Sequence, residues 1–404
     1  MTSDGRRRAA RILAFLVVVG AFTPAGVSAL TPSSTGTPGT VGLEPGTVER
    51  QPNGSTVVAI QGFHFRGQGA QKKPARLVSV APNGTTEWVV DGSKSGARWF
   101  YDVDPLPNGN LLVVSTNSDG TLVFELNPET KERVWAESFD FHDTHDVDML
   151  PNGNLLIANM RNFSDGVSND RVLVYNRTTD ETVWQWRFRN HYPNATDGGF
   201  GEDWTHVNDV DRIGEGRYLV SPRNFDQVIV IDRESGEIVH RLGEDGNHDT
   251  LFEQHNPDWL MSESGNPTIL VADSENDRVV EYAKRDGEWV KTWELGTGQL
   301  AWPRDADRLP NGNTLIVDSL NHRVIEVTPQ GRIVWEYYAT WGPYDAERRG
   351  TGDGSSGPTM ADLGVTGQYR LTNSAGLIEG TGQTSTFAAT VQNTFAGTVL
   401  GPIT

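Results

Sequence analysis

The sequence predicts an all-β fold, a six-bladed β-propeller of four-stranded antiparallel blades, on three observations. The first is a repeated segment, Asp-x-Asp-x-Leu-Pro-Asn-Gly-Asn, at residues 102–110, 146–154 and 305–313. The second is that short strand-like runs, punctuated by turns such as Asn-Gly and Ser-Gly, follow these copies and end near a Trp in most units. The third is a repeat spacing of about 40–50 residues, which is typical of propeller blades.

Degenerate copies complete the count of six blades. The repeat aspartates are Asp104, Asp148, Asp211, Asp258 and Asp307. An earlier copy, Pro52-Asn-Gly54, starts the first unit. The interval from Asp148 to Asp211 is 63 residues, against 44, 47 and 49 for the others. The third blade is therefore predicted to carry an insertion, with a loop at residues 190–203.

The ends of the chain differ in composition from the repeats. Residues 1–29 are predicted to be an export signal, because arginines precede the apolar run from Ile12 to Phe22, and Val27-Ser28-Ala29 has the small residues of a cleavage site. The same run could instead remain as an N-terminal membrane anchor. Residues 30–50 have the composition of a linker, residues 51–345 are assigned to the propeller, and residues 346–404 form a Gly-, Ser- and Thr-rich tail. We expect an exported protein, extracellular or at the cell surface, and attachment to the membrane or cell envelope through a terminus stays open.

The charge balance argues against nucleic acid as a partner. The chain has 34 basic and 53 acidic residues and a formal net charge of −19, whereas phosphate backbones require Lys and Arg. The absence of Cys excludes disulfides and thiol chemistry. The large negative charge, with only six Lys, predicts a halophilic protein. Five glycosylation sequons on an exported chain predict a glycoprotein; they begin at Asn53, Asn83, Asn162, Asn176 and Asn194.

Comparison of the repeats predicts two rings of side chains around the propeller channel. Three residues before each repeat aspartate stands a polar residue that changes from blade to blade: Tyr101, His145, Asn208, His255 and Arg304. The next residue is almost uniform: Asp102, Asp146, Asp209, Asn256 and Asp305. The uniform ring indicates a structural role, in which the side chains satisfy backbone N–H groups. The ring that varies but stays polar indicates a ligand site.

The fourth blade departs from the repeat at two further positions. His206 lies two residues before Asn208, and Arg223 aligns with Ser274 and Ser319 of sister blades. An Arg where sister blades keep Ser predicts anion binding at that position.

Three segments around these residues resemble the arylsulfotransferase family. They are Asp203-Trp-Thr-His-Val-Asn208, Val220-Ser-Pro-Arg223 and Glu253-Gln-His-Asn-Pro257. The resemblance, which extends over about residues 50–345, implies an exported six-bladed propeller that moves a sulfuryl group between phenols without a nucleotide sulfate donor. The acidic composition would make this chain a haloarchaeal-like member.

The resemblance also implies roles for individual residues. His255 would be the nucleophile that accepts the sulfuryl group. His206, Asn208 and Arg223 would bind sulfate oxygens, and His145 would contact the sulfate or assist the phenol. We add Tyr101, Arg304 and Trp204 as substrate-binding candidates from the predicted ring and its surroundings.

This chemistry calls for no cofactor and no metal, because a neutral imidazole can attack the sulfur of an activated aryl sulfate directly. The expected partners are a small-molecule aryl sulfate and a phenol, and the sequence predicts no oligomeric state. Two alternatives stay open. One is a non-catalytic surface propeller that acts as a ligand-binding or scaffold glycoprotein. The other is a quinone-dependent dehydrogenase-like propeller, for which we would expect calcium ligands and eight blades.

Overall fold

The computed structural model describes residue 40 and residues 42–62 and 74–375. The predicted export signal, the first part of the predicted linker and the tail beyond residue 375 lie outside the described residues. Within the described ranges, no helix combines the length and the apolar composition needed to cross a bilayer. The α-helix of those ranges is the single turn Gly92–Ser95.

Six four-stranded antiparallel sheets form a six-bladed β-propeller, as the repeats predict. From the innermost to the outermost strand, blade 1 consists of Pro343–Arg348, Thr56–Ile60, Arg76–Val80 and Thr86–Asp91. Blade 2 consists of Trp99–Pro105, Leu111–Thr116, Thr121–Leu126 and Arg133–Phe139. Blade 3 consists of Val147–Met149, Leu155–Asn159, Arg171–Asn176 and Glu181–Arg187.

The other three blades repeat this order. Blade 4 consists of Val207–Gly214, Arg217–Pro222, Gln227–Asp232 and Ile238–Gly243. Blade 5 consists of His255–Met261, Pro267–Asp273, Arg278–Arg285 and Glu288–Leu295. Blade 6 consists of Pro303–Arg308, Thr314–Asp318, Arg323–Val327 and Ile333–Ala339. In blades 4, 5 and 6 a short 3₁₀ turn joins the second strand to the third: Arg223–Phe225, Ser274–Asn276 and Ser319–Asn321.

Blade 1 is closed by a strand from late in the chain. Pro343–Arg348 supplies its innermost strand and pairs antiparallel with Thr56–Ile60, so the two ends of the propeller share one sheet. This strand extends three residues beyond residue 345, the predicted end of the propeller. Its residues Tyr344-Asp345-Ala-Glu347 continue the repeat, with Glu347 in place of the repeat aspartate.

The apolar core is divided among the six interfaces between blades. Each interface holds one cluster of buried side chains. Because successive residues of a strand face opposite sides, Val57 and Ala59 pack towards blade 2, whereas Val58 and Ile60 pack towards blade 6. The inner strands are therefore apolar on both faces.

Aspartates of the uniform ring connect neighbouring blades at the channel. Asp345 of blade 1 accepts a 2.9 Å hydrogen bond from the backbone N–H of Val103 in blade 2. Asp305 of blade 6 accepts a 3.3 Å bond from the N–H of Ala346 in blade 1. These side chains were predicted to satisfy backbone N–H groups, and Asp305 and Asp345 do so in the next blade rather than in their own turn.

Two additions lie outside the four-stranded plan. The insertion of blade 3 contains the predicted loop at residues 190–203, with 3₁₀ turns at Phe188–Asn190 and Thr196–Gly198, and also an unexpected hairpin of Phe163–Ser164 and Val167–Ser168. Leu43–Val48 adds a fifth strand to blade 6, and Gly367–Tyr369 adds a parallel one to blade 5. The described part of the predicted tail therefore lies against the blades.

A buried ion pair between blades 5 and 6 generates the first prediction. Nη1 of Arg308 lies 3.1 Å from Oε2 of Glu281, and neither side chain is exposed. Arg308→Met leaves the Glu281 carboxylate buried without its guanidinium, so we expect a loss of about 3–5 kcal/mol in the free energy of unfolding. Guanidinium chloride titration measures this loss. Arg332→Met, which removes an exposed pair with Glu49, is the control and should leave the midpoint unchanged. Equal losses in both variants would contradict the prediction.

Candidate active site

Six polar side chains, one from each blade, meet at one mouth of the central channel: Tyr101, His145, Asn208, His255, Arg304 and Tyr344. We call this set the mouth ring. Each member is at most 5% exposed. The ring centroids of Tyr101 and His145 are 3.9 Å apart, those of Tyr101 and Tyr344 are 5.0 Å apart, and those of His255 and Tyr344 are 5.8 Å apart. The structure therefore brings together the five residues of the predicted variable ring and adds Tyr344.

Local irregularities in the innermost strands position these side chains. In blades 1, 2 and 6 the pairing with the second strand skips one residue, at Tyr344, Tyr101 and Arg304. Blades 4 and 5 show a similar shift beside Asn208 and just after His255. An extra residue of this kind breaks the alternation of a strand. Two consecutive residues can then reach the channel, one at the mouth and the next one below it.

His255 is held as a neutral imidazole with a free Nε2. Its Nδ1 lies 2.8 Å from Oγ of Ser274, and this hydroxyl donates its proton to the Pro303 carbonyl oxygen at 2.6 Å. A hydroxyl has a single proton, so Oγ accepts from Nδ1–H and leaves the lone pair on Nε2. Burial, followed by the charges of Arg304 and Arg223, lowers the pKa of His255 well below its usual value.

His145 belongs to a network on the side of blades 1–3. Its Nδ1 lies 2.9 Å from the Tyr344 hydroxyl, and its Nε2 lies 3.8 Å from Oδ1 of Asp143. Asp143 also accepts a hydrogen bond from the Tyr101 hydroxyl and pairs with Arg161 at 2.8 Å. Burial lowers the pKa of His145 and raises the pKa of Tyr344. The pair is therefore a neutral imidazole beside a protonated phenol.

His206 contacts Arg223 directly. Although burial raises the pKa of Asp203, its contacts with His206 and Arg161 bring it below the usual value, so Asp203 is ionised. Nδ1–H of His206 donates to Asp203 at 2.8 Å, and its Nε2 faces Nη1 of Arg223 at 3.3 Å. Burial and the Arg223 charge lower the pKa of His206 to about 3. Nη2 of Arg223 lies 3.2 Å from Glu253, and its Nε donates to Oδ1 of Asn224 at 3.1 Å, so three side chains fix this guanidinium.

Arg304 is a buried cation that has no ion-pair partner among the described residues. Its Nη1 donates to Gln61 at 2.6 Å, and the guanidinium lies 3.8 Å above the Trp302 ring and 4.7 Å from the Tyr344 ring. Within the same residues its Nε has no hydrogen-bond partner. Burial lowers the pKa of Arg304 to about 10, so it stays charged at neutral pH. A buried charge of this kind is costly until an anion joins it.

The other two predicted substrate contacts differ from each other. The Asn208 side chain is fully buried in the mouth ring; it donates to the Gln254 carbonyl at 2.9 Å, and its Oδ1 has no partner in the described part of the chain. Trp204 is not brought to the ring. It packs between Phe200 and Phe225 in the core between blades 3 and 4, and its indole N–H donates to the Thr196 carbonyl, so it supports the loop instead.

In five of the six blades, the residue two positions before the mouth-ring member adopts a left-handed backbone conformation. The φ values are +59° at Asp143, +41° at His206, +46° at Glu253 and +54° at Trp302, and Gly342 holds the same place before Tyr344. For residues other than glycine this conformation costs about 1–3 kcal/mol and is concentrated at functional sites. The four side chains contact mouth-ring residues or Arg223, so they form a second layer of the site.

Sequence reasoning missed two parts of the site. Tyr344 stands three residues before Glu347, and the change from Asp to Glu hid this last copy of the repeat. Ser274 was aligned with Arg223, an alignment confirmed by the equivalent 3₁₀ turns, but its contact with His255 was not expected. A search for the repeat with either acid would have found Tyr344.

Two family models match the chain. The model described as arylsulfotransferase (ASST) matches residues 61–258, just under half of the chain. The model described as outer membrane protein assembly factor BamB matches residues 168–378, just over half. No curated relative matches the sequence.

Solved structures resemble the chain only distantly. A protein of unknown function from Bacteroides caccae has 15% identity and a TM-score of 0.48, over 79% of this chain and 98% of that one. A virginiamycin B lyase from Staphylococcus aureus has 9% identity and a TM-score of 0.44, over 74% and 88% of the two chains. A periplasmic gluconolactonase from Pseudomonas aeruginosa has 15% identity and a TM-score of 0.44, over 76% and 88%. Likeness at this level supports no functional assignment.

The hydrogen bonds of the imidazoles generate a prediction about protonation. At pH 5 an ordinary histidine, with a pKa of about 6.5, is mostly charged. Because His206 and His255 have lowered pKa values, we expect both to remain neutral and to carry their proton on Nδ1. ¹⁵N chemical shifts of histidine-labelled protein report both properties, with resonances assigned through His206→Gln and His255→Gln. An Nε2-protonated His255 would refute the assigned tautomer.

Proposed function

We propose that this chain, which belongs to the family described as outer membrane protein assembly factor BamB by its match over residues 168–378, is an aryl sulfotransferase. The arylsulfotransferase model, which matches residues 61–258, supports this activity. The arylsulfotransferase match contains His145, His206, Arg223 and His255. The donor would be a phenolic sulfate ester and the acceptor a second phenol.

One observation carries the proposal: the neutral imidazole of His255, with a free Nε2, packs on the same Trp302 and Tyr344 rings as the buried guanidinium of Arg304, and the partly buried Arg223 adds a second positive charge. Among the charges that lower the pKa of His255, Arg304 comes first and Arg223 second. A sulfate monoester brings the negative charge that this site lacks, and its sulfur is the electrophile that Nε2 requires. The same two arginines would therefore bind the substrate and keep the nucleophile neutral.

The first half-reaction would be an in-line displacement at sulfur. The Nε2 lone pair of His255 forms the N–S bond while the bond from sulfur to the phenolic oxygen breaks, and the electron pair leaves with the phenolate. The proton stays on Nδ1, and its hydrogen bond to Oγ of Ser274 would stabilise the positive charge of the sulfohistidine ring. The transition state spreads charge over the sulfuryl oxygens, which Arg304 and Arg223 would stabilise.

The second half-reaction would reverse the first with a different phenol. The acceptor oxygen attacks sulfur, the N–S bond breaks, and His255 recovers its lone pair. The acceptor must lose a proton, and the leaving phenolate of the first step must gain one. The Tyr344 hydroxyl and the His145 imidazole, 2.9 Å apart, form the pair that we propose for this proton transfer.

His206 has a different role here from the one that the family resemblance implies. Its Nε2 lone pair faces Arg223, so it has no proton to offer a sulfate oxygen while it stays neutral. We propose that His206, together with Glu253, positions the Arg223 guanidinium. Export of the protein is proposed as well, on the signal-like composition of residues 1–29.

Substitution of the nucleophile tests the proposed reaction. Wild-type protein should transfer sulfate from 4-nitrophenyl sulfate to an added phenol, and His255→Ala should abolish this transfer. Mass spectrometry of a quenched wild-type reaction should find about 80 Da added to the peptide that contains His255. His191→Ala, which removes an exposed imidazole, is the matched control and should retain activity. A folded protein that transfers no sulfate from any phenyl sulfate would favour the non-catalytic binding propeller instead.

Replacement of Arg304 separates catalysis from stability. This guanidinium has no ion-pair partner in the described ranges, so Arg304→Met leaves no buried carboxylate without a partner. We therefore expect a Tm equal to or above that of the wild type. We expect kcat to fall by about 10²–10³-fold, the usual effect of losing one donor to a developing anion. Arg223→Met should remove less transition-state stabilisation, because Glu253 already offsets its charge. Steady-state kinetics and thermal melts measure both effects. Unchanged kcat in Arg304→Met would contradict the role of Arg304.

A further inference from the structure

Below the mouth ring, the channel is lined with acids. Each blade contributes two residues to the lining. The first is the residue of the uniform ring, which is Asn256 in blade 5 and an Asp in every other blade, including Asp345 in blade 1. The second is the repeat acid, which is Glu347 in blade 1 and an Asp in every other blade. Pro257 of blade 5 and, from the segment after blade 1, Asp353 and Gly354 complete the lining. No Lys, Arg or His lines this cavity in the described part of the chain.

The acids of the channel are too many to remain charged without compensation. Twelve carboxyl groups line one small cavity, so their negative charges would repel one another at short range. Either protons or a cation must offset the repulsion. Protonation and cation binding require different partners for the carboxyl oxygens.

Unpartnered oxygens favour a cation. Oδ2 of Asp209 has no hydrogen-bond partner among the described residues, although Asp209 is only 5% exposed and lines the cavity. Oε2 of Glu347 has no such partner either, and Glu347 is 4% exposed. A protonated carboxyl must donate its proton to an acceptor, whereas a cation binds bare oxygens directly.

The spacing of three carboxylates fits calcium. One oxygen each from Asp146, Asp209 and Asp211 lie within 4.8 Å of one another. Calcium takes six to eight oxygen ligands, many of them carboxylates, in a flexible geometry, whereas magnesium keeps several waters and is usually bound by one or two carboxylates, so three converging carboxylates favour calcium. The cavity has a volume of about 30 Å³. About 10–15 Å³ is enough for one water, so an ion with a water ligand fits.

The segment after blade 1 closes the far end of this cavity. The Gly354 N–H donates to Glu347 at 3.1 Å, and Ser355 donates through its N–H at 3.0 Å and through its hydroxyl to Asp258. A Cβ at Gly354 would lie 2.5 Å from Oδ1 of Asp258, and its φ is +61°, so glycine is required there. The acids are therefore held between the mouth ring and this segment.

We propose that a calcium ion binds in the channel to the carboxylates of Asp146, Asp209 and Asp211 and joins the innermost parts of blades 3 and 4 beneath the mouth ring. The ion completes its coordination with channel oxygens and water. It offsets the negative charge that lies one residue below Asn208 and His145. This site is distinct from the His255 site and does not depend on the activity proposed above.

Metal content and thermal stability test the calcium site directly. Protein stripped with EDTA and then dialysed against calcium should bind about one equivalent, as measured by inductively coupled plasma mass spectrometry. Calcium at millimolar concentration should raise the Tm of the stripped protein by about 5 °C or more, and magnesium should raise it less. No bound calcium in the wild-type protein, no calcium-dependent shift, or an equal or larger shift with magnesium would overturn the proposal.

Substitutions locate the ion. Asp209→Asn combined with Asp211→Asn should abolish both the bound equivalent and the calcium-dependent shift. Its metal-free Tm should be no lower than that of stripped wild-type protein, because the change removes like charges. Asp286→Asn, an identical chemical change at an exposed turn, should retain the wild-type response. Equal calcium binding by the double variant would overturn the assigned ligands.

Discussion

The irregular pairing of the innermost strands is the constraint on which the rest of this molecule depends. A regular strand would send alternate residues to the channel and the intervening residues into the core. An extra residue at Tyr101, Arg304 or Tyr344 lets two consecutive side chains reach the axis. The first of them enters the mouth ring and the second becomes part of the acidic channel. In five of the six blades, both layers therefore come from one backbone feature, an irregularity in the pairing of the innermost strand.

The two layers carry opposite charge within one residue of each other. Arg304 and Arg223 stand at the mouth, and carboxylates line the channel immediately below. Arg304, which has no ion-pair partner among the described residues, thus keeps its positive charge directly above the acidic channel in a chain whose formal net charge is −19. The channel also limits anion binding, since a sulfate at the mouth would be close to aspartates. A cation in the channel would relieve that repulsion without entering the mouth.

The repeat made most of the fold predictable, because strict spacing of Asp-x-Asp and Pro-Asn-Gly specifies blades and their number. It also predicted which positions face the channel mouth, as His145 and His255 illustrate. What it could not provide depends on contacts between distant segments. Arg304 has no ion-pair partner among the described residues, because its guanidinium is surrounded by Gln61 from the first blade and by Trp302 and Tyr344 from late in the chain.

Trp204 illustrates the reverse case, a residue that the sequence predicted at the site and that the structure places elsewhere. It belongs to a segment that resembles the family motif, and its neighbours Asp203 and His206 do reach the site. The loop turns between them, since His206 adopts a left-handed conformation, and the indole is directed into the core. Proximity in sequence to a site residue is therefore weak evidence for substrate contact wherever the backbone reverses.

A symmetric scaffold carries an asymmetric site because equivalent positions have diverged one residue at a time. The first residue of the 3₁₀ turn is Arg223 in blade 4, Ser274 in blade 5 and Ser319 in blade 6. Arg223 supplies charge, and Ser274 fixes the tautomer of His255. Oγ of Ser319 has no hydrogen-bond partner among the described residues. One backbone position thus supplies a cation, an orienting hydroxyl and a hydroxyl without a partner. The chemistry of this propeller follows from which side chain each blade places there, since the backbone at that position is the same in all three.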